Sequence, residues 1–363
     1  MNYRKVFRAV LCVLVAGMVF MGCSDDDKVT RNDGGSLIDL PDARVFILNE
    51  GSWGGNNAGI TFYESLDGSH DIIGDIYLQQ NGKGLGDVGQ SIVNDTSNIY
   101  VVVSESKRIT KLNQAGVEQH TLSIPTNFGN PRFAAIEGGK LYVTVYGYPG
   151  YVLRINTATM SIEDSVRVGN NPENIASCKG KLYVSNTEYG SGTTVSVVDI
   201  STFKEVQKVN VIANPNDILA VNNKVYVVSW GLYDEAIWGF HDYVLQRVDD
   251  GAAGAIGSEL NLKVSKMAAH NDILYIVSRT NECFTYNTTT GTVKQESFLK
   301  GAPATLSAST VYMLTINPYN GEFYVGTNDY VNNGTIYRFS SDGTFMTEFE
   351  SGGIGPCGAV FFK

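Results

Sequence analysis

The chain has few residues of the kinds that bind metals or form disulfides. Its 363 residues include five cysteines and four histidines, and after Cys23 only Cys178, Cys283 and Cys357 follow. These three form no C-x-x-C pair, and an odd number cannot all pair within the chain. No two histidines stand at metal-ligand spacing. The sequence therefore predicts no metal site and no disulfide framework, and we expect the three thiols to be buried and inert.

Catalytic signatures are also missing. The chain contains no G-x-S-x-G, H-E-x-x-H or EF-hand pattern. The segment Gly84–Gly89 matches G-x-G-x-x-G, but a short strand pattern follows it where a dinucleotide site needs a helix. Glu50, Glu188 and Asp217 could converge on a central channel, yet nothing in the sequence places them as an acid–base pair. We therefore predict that the protein is not an enzyme, with no catalytic residues and no cofactor.

Positive charge is scarce as well. Lysine and arginine number 27 against 37 aspartates and glutamates, which gives a formal net charge of −10. Three of the cations, Arg4, Lys5 and Arg8, lie in the N-terminal segment, so the rest of the chain is more acidic still. An acidic surface repels phosphate groups. The composition therefore argues against nucleic acid or anionic lipid as a partner.

The apolar run near the N-terminus, Ala9–Phe20, is too short for a membrane-spanning helix, which needs about 20 residues. Because basic residues precede it, residues 1–22 have the layout of a signal peptide. The sequence Phe20-Met21-Gly22-Cys23 resembles the lipobox of bacterial lipoproteins, and this resemblance implies lipidation at Cys23. The alternative is an ordinary signal peptide with an incidental cysteine.

Residues 23–43 are predicted to be the lipidated cysteine and a flexible linker. The stretch is polar, contains Gly34-Gly35 and has no apolar period. Its beginning, Ser24-Asp25-Asp26-Asp27, resembles the acidic tag that sends lipoproteins of Bacteroidetes to the outer face of the outer membrane. The alternative is a merely solvated linker. We expect a protein at the cell surface that touches the membrane through its lipid anchor only.

Helical periodicity is weak throughout the mature chain, so few helices are expected. Instead, a group of β-forming residues around an aromatic side chain recurs seven times, at spacings of 54, 42, 41, 43, 49 and 49 residues. A period of about 40–50 residues made of short strands is typical of propeller blades. The sequence therefore predicts an all-β, seven-bladed β-propeller over residues 44–363. The repeated aromatic residues are Phe46, Tyr100, Tyr142, Tyr183, Tyr226, Tyr275 and Tyr324.

The two ends of this region predict how the ring closes. The region begins with a second-strand pattern, Val45–Asn49, that no inner strand precedes. It ends with an inner-strand pattern, Pro356–Phe362, that no further strand follows. We therefore expect the C-terminal strand to pair in the N-terminal blade, which removes two open sheet edges.

In a propeller of this layout, the loops that lead into the inner strands share one face with those that join second to third strands. The second class of loop contains all three tryptophans, whereas the opposite face carries ordinary turns such as Asn222-Asn223. Tryptophan and tyrosine combine a large apolar area with a polar tip, and asparagine amides both donate and accept hydrogen bonds. This face is a candidate binding surface for a neutral, amide- or hydroxyl-rich ligand. The alternative is that Asn and Gly serve only as turn residues.

Two segments resemble a known family. Val45–Ala58, with the sequence VFILNEGSWGGNNA, is similar to the opening signature of Bacteroidetes surface propellers of the YncE-like type, and Leu85–Ser91 matches their next inner strand. Among these proteins, the chain resembles the BtuG group, whose members are surface lipoproteins that capture cobalamin. The resemblance implies capture of cobalamin and its transfer to an outer-membrane TonB-dependent transporter of the BtuB type.

A corrinoid is a flat, amide-fringed disc that is wide enough to meet several blades at once. Amide side chains would pair with its fringe, and aromatic rings would pack on its apolar edges. The competing hypotheses are a glycan- or other nutrient-binding lipoprotein and, less favoured, a propeller enzyme of the lactonase or lyase kind. The predicted ligand contacts are Asn49, Trp53, Asn57, Arg132, Tyr146, Tyr148, Asn174, Tyr189, Trp230, Tyr233, Trp238 and Tyr330.

Overall fold

The computed structural model of the chain describes most of the region after the predicted signal peptide. The predicted signal peptide, Cys23 and the acidic tag lie outside the described residues. No helix in the part described is long and apolar enough to cross a membrane. One compact unit spans Asn32–Lys363. The structure describes residues 31–64, 72–240, 242–249, 254–255 and 262–363.

Within those ranges, thirty strands form seven antiparallel four-stranded sheets, the blades, and one two-stranded hairpin. In blades 2 to 7 the strands follow one another from the inner edge to the outer edge in chain order. Blade 1 contains β1 (Arg44–Asn49), β2 (Gly59–Glu64) and β3 (Ile72–Ile73). Blade 2 contains β4 (Gly89–Asn94), β5 (Asn98–Val103), β6 (Arg108–Asn113) and β7 (Glu118–Ser123). Blade 3 contains β8 (Asn130–Glu137), β9 (Lys140–Tyr146), β10 (Tyr151–Asn156) and β11 (Ser161–Arg167).

The remaining blades repeat this order, except that blade 5 carries a hairpin of β18 (Tyr233–Asp234) and β19 (Gly239–Phe240) between its second and third strands. Blade 4 contains β12 (Pro172–Cys178), β13 (Lys181–Asn186), β14 (Thr194–Asp199) and β15 (Lys204–Asn210). Blade 5 contains β16 (Pro215–Val221), β17 (Lys224–Ser229), β20 (Val244–Arg247) and β21 (Gly254–Ala255). Blade 6 contains β22 (Val264–His270), β23 (Ile273–Ser278), β24 (Cys283–Asn287) and β25 (Val293–Lys294). Blade 7 contains β26 (Val311–Ile316), β27 (Phe323–Thr327), β28 (Thr335–Phe339) and β29 (Phe345–Glu350), and the last strand is β30 (Pro356–Phe362).

In the part of the chain that the structure describes, three short helical segments lie between the strands, namely α1 (Ile76–Asn81), a 3-10 turn (Glu188–Gly190) and α2 (Ala304–Ser307). The first begins where the Asp75 carboxylate accepts a hydrogen bond from the Leu78 amide at 3.0 Å. It ends at Gly82, whose positive φ of 63° is the left-handed conformation that closes helices. The G-x-G-x-x-G segment leads directly into strand β4, as predicted, and not into a helix.

The repeated aromatic residues join neighbouring blades. Seven hydrophobic clusters fill the spaces between blades, and each contains one member of the repeat. Tyr142 of blade 3, for example, packs with Leu182 of blade 4, and Tyr324 of blade 7 packs with Val45 of blade 1. Burying a side chain of this size contributes about 1.5–3 kcal/mol. The repeated aromatic residues therefore mark the interfaces between blades. The predicted seven-bladed all-β fold is confirmed.

The predicted ring closure is also confirmed. Strand β30 pairs antiparallel with β1 and becomes the inner strand of blade 1, with Phe361 opposite Val45. Phe362 meets Phe46 edge to face at 6.0 Å between ring centres, and the Phe361 ring lies 5.3 Å from the Tyr324 ring. The C-terminal strand thus packs against both blade 1 and blade 7, so it fastens the two ends of the ring together.

The N-terminal end of the described chain lies against blades 1 and 2. The guanidinium of Arg44, only 2 % exposed, donates to both Asp33 oxygens at 2.6 and 2.8 Å and to the Gln114 carbonyl at 2.7 Å. The Asn32 amide donates to the Gln114 side chain at 2.9 Å. Residues 32–43, which the sequence places in the flexible linker, therefore belong to the propeller unit in the structure, because they satisfy a buried cation at its rim.

Asp33→Ala should lower the free energy of unfolding by about 2 kcal/mol, because it leaves the buried Arg44 guanidinium without its carboxylate partner. Asp39→Ala is the matched control, since Asp39 is exposed and its change should stay within about 0.5 kcal/mol. Urea unfolding followed by circular dichroism measures both. Equal midpoints for the two variants would show that residues 32–43 contribute no stability.

Candidate functional site

One face of the propeller carries nearly all of the exposed aromatic side chains. Because the strands alternate in direction, the loops from second to third strands and the loops into the inner strands lie on the same side, here called the loop face. Of the seven tyrosine and tryptophan side chains that are largely exposed in the described ranges, six lie on the loop face and only Tyr319 lies on the opposite face. The six are Trp53, Tyr148, Tyr189, Tyr233, Trp238 and Tyr330.

Every inner strand has a β-bulge where it leaves the loop face. The register shifts lie between Gly89 and Ser91 in β4 and between Val311 and Met313 in β26, and the other five inner strands shift at the equivalent place. A bulge takes one residue out of the ladder and redirects its side chain. One residue at each bulge therefore lines the mouth of the central channel. It is the third residue of β8 and the second residue of each of the other six inner strands. These seven residues form the set here called the bulge ring: Gln90, Arg132, Glu173, Asn216, Ser265, Tyr312 and Cys357.

Two connected cavities occupy this mouth. The outer one, of about 460 Å³, reaches loop-face aromatics such as Tyr189 and Phe240. The inner one, of about 220 Å³, is lined by residues further along the inner strands, such as Met267 and Leu314. The two share a set of lining side chains, so they form one recess beneath the aromatic loops. The shared residues are Gln90, Phe133, Asn216, Trp230, Lys266 and Tyr312.

A network of paired charges occupies one side of the recess. Arg132 donates to the Glu173 carboxylate, with Nε to Oε2 at 3.1 Å, and to Gln90 Oε1 at 2.6 Å. The guanidinium also lies 5.5 Å from the centre of the Tyr146 ring. Burial lowers the pKa of Arg132, but the charge and hydrogen bonding of Glu173, together with Tyr146 and Glu50, raise this pKa on balance. Arg132 is therefore a fixed cation that is held by Glu173 and Gln90.

The other acidic groups of the recess are shielded from water. Burial raises the pKa of Glu50, although the Tyr312 hydroxyl donates to its Oε2 at 2.5 Å. Burial also raises the pKa of Asp217, against the attraction of Lys266, and Asp217 Oδ1 accepts a hydrogen bond from the Asn174 amide at 2.8 Å. These two carboxyls retain protons at higher pH than ordinary carboxyls do, so the recess is less acidic than its composition suggests.

Asp217→Asn should stabilise the protein at pH 7.5 more than at pH 4.5. A carboxyl whose pKa is raised on folding binds protons more readily in the folded state, so the stability of the wild-type protein falls as the pH rises through the folded pKa, above the ordinary value of 3.8. The asparagine keeps the oxygen that accepts from Asn174 and does not ionise. Thermal unfolding at both pH values measures the difference between variant and wild type, and a difference that is the same at both would contradict the expectation.

Asp342→Asn serves as the control, because the pKa of Asp342 is shifted in the opposite direction to that of Asp217. Hydrogen bonds from Ser340 and Thr344 lower the pKa of this exposed carboxyl to about 2, from an ordinary 3.8. Its stabilising contribution is present above pH 3.8 and is lost as the pH falls through about 2. The variant should therefore melt at a lower temperature than the wild type, by a similar amount at pH 4.5 and at pH 7.5.

The structure divides the twelve predicted ligand contacts into groups. Six are the exposed aromatics of the loop face named above. Four more line the recess, namely Arg132, Tyr146, Asn174 and Trp230. The ring of Tyr146 meets that of Tyr189 edge to face at 5.4 Å, which joins the recess to the exposed group.

The remaining two predicted contacts are asparagines with local partners. Asn49 is fully buried, and its amide donates to the Thr61 hydroxyl at 2.8 Å and to the Ser351 carbonyl at 3.1 Å. It holds the neighbouring strands together, and we therefore leave it out of the binding face. Asn57 is exposed, and its Oδ1 accepts from the Ser52 amide at 2.8 Å. This bond shapes the loop that presents Trp53.

Several residues of the recess are missing from the sequence-based set. Gln90, Asn216, Lys266 and Tyr312 all line both cavities, yet none is among the predicted ligand contacts, although Gln90 lies in the Leu85–Ser91 segment. Position along the strand could have identified Gln90, Asn216 and Tyr312, because each is the second residue of an inner strand. Lys266 is the third residue of its strand and has no such signal.

The described residues offer little metal or thiol chemistry. Among them, no group of three His, Cys, Asp or Glu side chains is placed to hold a metal ion. Cys178, Cys283 and Cys357 are free, and burial raises the pKa of each thiol. The Cys357 thiol lies in the inner cavity and donates to the Gly89 carbonyl at 3.3 Å. A raised thiol pKa disfavours the reactive thiolate.

Comparison with solved structures finds propellers of low sequence identity. A protein of unknown function from Bacteroides caccae is 11 % identical and aligns over 89 % of this chain and 100 % of its own, with a TM-score of 0.51. A streptogramin B lyase structure is 13 % identical over 72 % of this chain and 82 % of its own, with a TM-score of 0.56. BamB from Moraxella catarrhalis is 12 % identical over 90 % and 88 %, with a TM-score of 0.50. At these identities the similarity shows the propeller fold alone.

Comparison of the sequence with models of protein families and with curated proteins finds no match.

Proposed function

We propose that the protein is a ligand-capture propeller that binds cobalamin or a related corrinoid on its loop face. The observation that carries the proposal is the concentration of exposed aromatic side chains on that face, around a polar recess. Trp53 and Trp238 are 83 and 82 % exposed, although tryptophan side chains of monomeric proteins are mostly buried. Exposed rings that surround a cavity are typical of a binding surface.

The chemistry of the face suits a broad, neutral ligand with an amide fringe. The exposed rings lie on loops of blades 1, 3, 4, 5 and 7, so a ligand that touches them all must span the channel mouth. Side-chain amides and the Arg132 guanidinium supply hydrogen bonds inside that perimeter. A corrinoid disc meets both requirements at once.

A binding role fits the recess better than a catalytic role does. Glu50 accepts a hydrogen bond from Tyr312, and Glu173 is paired with Arg132. Each of these carboxylates is thus held by a neighbour. We infer that the recess recognises a ligand and leaves its covalent bonds intact.

The same proposal includes location and partner. Lipidation at Cys23 would anchor the propeller to the outer face of the outer membrane, and the captured ligand would pass to a TonB-dependent transporter of the BtuB type. Mass spectrometry of the membrane-extracted protein tests the anchor, since a diacyl- or triacylglyceryl cysteine adds the mass of its chains. A soluble mature protein that begins at another residue would contradict it.

Isothermal titration with cyanocobalamin tests the ligand. We expect one site per chain at micromolar concentration or tighter, with quenching of tryptophan fluorescence. Absence of both heat and quenching would overturn the proposal. A glycan is the second candidate, because exposed aromatic rings also stack on sugars, and a titration with oligosaccharides under the same conditions separates the two.

A further inference from the structure

We propose that the floor of the recess is a separate subsite that takes a neutral carboxamide group of the bound ligand. The floor is defined here as Glu50, Asn216, Trp230, Lys266 and Tyr312, all of which line the outer cavity. This inference rests on the proposed function for the position of the ligand's main body above the floor. It goes beyond that function by naming the chemical group that enters the channel.

Two hydrogen-bond donors of the floor are unused. The Nε1 atom of Trp230 is buried and has no hydrogen-bond partner in the described part of the chain. The ammonium of Lys266 lies 4.9 Å from the centre of the Tyr312 ring, and its Nζ makes no hydrogen bond or ion pair with any described residue. For the buried indole N–H, the missing partner costs about 1–3 kcal/mol. Lys266 is half-buried and lines both cavities, so an acceptor atom of a ligand can bind its ammonium there.

The floor also offers unused acceptors. The Oε2 atom of Glu50 accepts from the Tyr312 hydroxyl, whereas Oε1 accepts no hydrogen bond from a described residue. The Asn216 side chain likewise makes no hydrogen bond within the described ranges and presents both an oxygen and an NH₂ group. A group that only accepts would leave these atoms without a donor.

The charges of the recess decide between charged and neutral ligand groups. Its cations are Arg132 and Lys266, and its acids are Glu50, Glu173 and Asp217. Because Arg132 is engaged by Glu173, a bound carboxylate or phosphate would approach Lys266 with two further acids nearby. A bound ammonium would approach the Lys266 cation instead. Like charges in a partly buried site repel strongly.

A carboxamide satisfies both conditions. Its oxygen accepts hydrogen bonds, which matches the Lys266 ammonium, and its NH₂ group donates two, which matches Glu50 and Asn216. The Trp230 indole lies beside these groups in the wall of the cavity. The carboxamide carries no net charge. The Phe240 ring, which packs on the Trp230 ring at 5.5 Å between ring centres, gives the cavity an apolar side against which the short alkyl arm of such a group can pack.

The test uses the ¹⁵N-labelled mature protein and acetamide as the probe. The chain has three tryptophans, so its spectrum contains three indole N–H signals, and Trp230→Phe identifies the signal that belongs to the floor. We expect acetamide to shift the Trp230 signal to saturation at millimolar concentration while the Trp53 and Trp238 signals stay in place. Lys266→Met should weaken the effect at least tenfold. Lys179→Met, at an exposed turn of the opposite face, should leave it unchanged.

Acetate and methylammonium are the charged counterparts of the probe. Neither should saturate the Trp230 signal. Saturation by acetate at lower concentration than acetamide, or no saturable shift with acetamide, would overturn the inference. Because the experiment contains no corrinoid, its outcome is separate from the cyanocobalamin titration. Corrinoid binding without an acetamide effect would reject the floor subsite alone, and the reverse result would reject corrinoid capture alone.

Discussion

Trp53→Ala and Trp238→Ala should each weaken cyanocobalamin binding by about 30-fold. Both side chains are more than four-fifths exposed in the free protein, so the stabilisation from covering them arises only when a ligand binds. At about 25 cal/mol per Å², covering roughly 80 Å² of a ring contributes about 2 kcal/mol, and 1.4 kcal/mol corresponds to a factor of ten in Kd. Isothermal titration of the two variants measures the loss.

Tyr319→Ala is the matched control for these variants. Tyr319 is also exposed, at 54 %, but it lies between the inner and second strands of blade 7 on the opposite face. Its removal should leave the affinity unchanged. All three variants should unfold at nearly the wild-type urea concentration, because exposed side chains contribute little to stability. A loss of affinity in Tyr319→Ala equal to that of the tryptophan variants would refute the assignment of the loop face.

Deletion of β30, Pro356–Lys363, should leave the protein largely unfolded at 25 °C. The strand supplies the inner edge of blade 1 and buries Val360, Phe361 and Phe362. At about 1.5–3 kcal/mol for each side chain, the lost burial alone approaches the 5–15 kcal/mol that stabilises a typical domain. The deletion also exposes one edge of β1 and separates blade 1 from blade 7. Circular dichroism and thermal unfolding measure the effect.

A point substitution tests the packing of β30 with a smaller change. Phe361→Ala removes the ring that packs on Tyr324 and should cost about 3–5 kcal/mol. Met346→Ala, on the half-exposed outer strand β29 of blade 7, is the control and should cost under about 1 kcal/mol. If the chain without β30 melts at the wild-type temperature, the ring does not depend on its C-terminal strand.

The fold was predictable because its signals are local and repeated. A strand needs only a few β-forming residues, and the aromatic residue of each second strand recurs because each blade must bury it against the next one. Ring closure was predictable for a related reason, since a blade that lacks its inner strand at one end and a single inner strand at the other leave two edges that can pair with each other.

The binding face was predictable in part. Exposed tryptophans and tyrosines in long loops stand out in a sequence, and six of them do lie together on one face. The sequence could not show which of the two asparagines near Trp53 is buried and which is exposed. Asn49 and Asn57 have the same side chain, but Asn49 ends a buried strand while Asn57 lies in an exposed loop. Burial depends on which residues pack against a side chain, and for Asn49 these include Ser351, which is distant in the sequence.

By itself, therefore, the sequence determined the number of blades, the strand that closes them and the face that carries the aromatic loops, because each follows from periodicity along the chain. Only the tertiary structure decided which side chains surround the channel. Seven bulges bring residues such as Arg132 and Tyr312 from separate blades to one mouth and Lys266 to its floor, and the end of the second strand β17 places Trp230 beside them. A bulge follows from strand twist and from contacts between blades, which no single segment of the sequence contains.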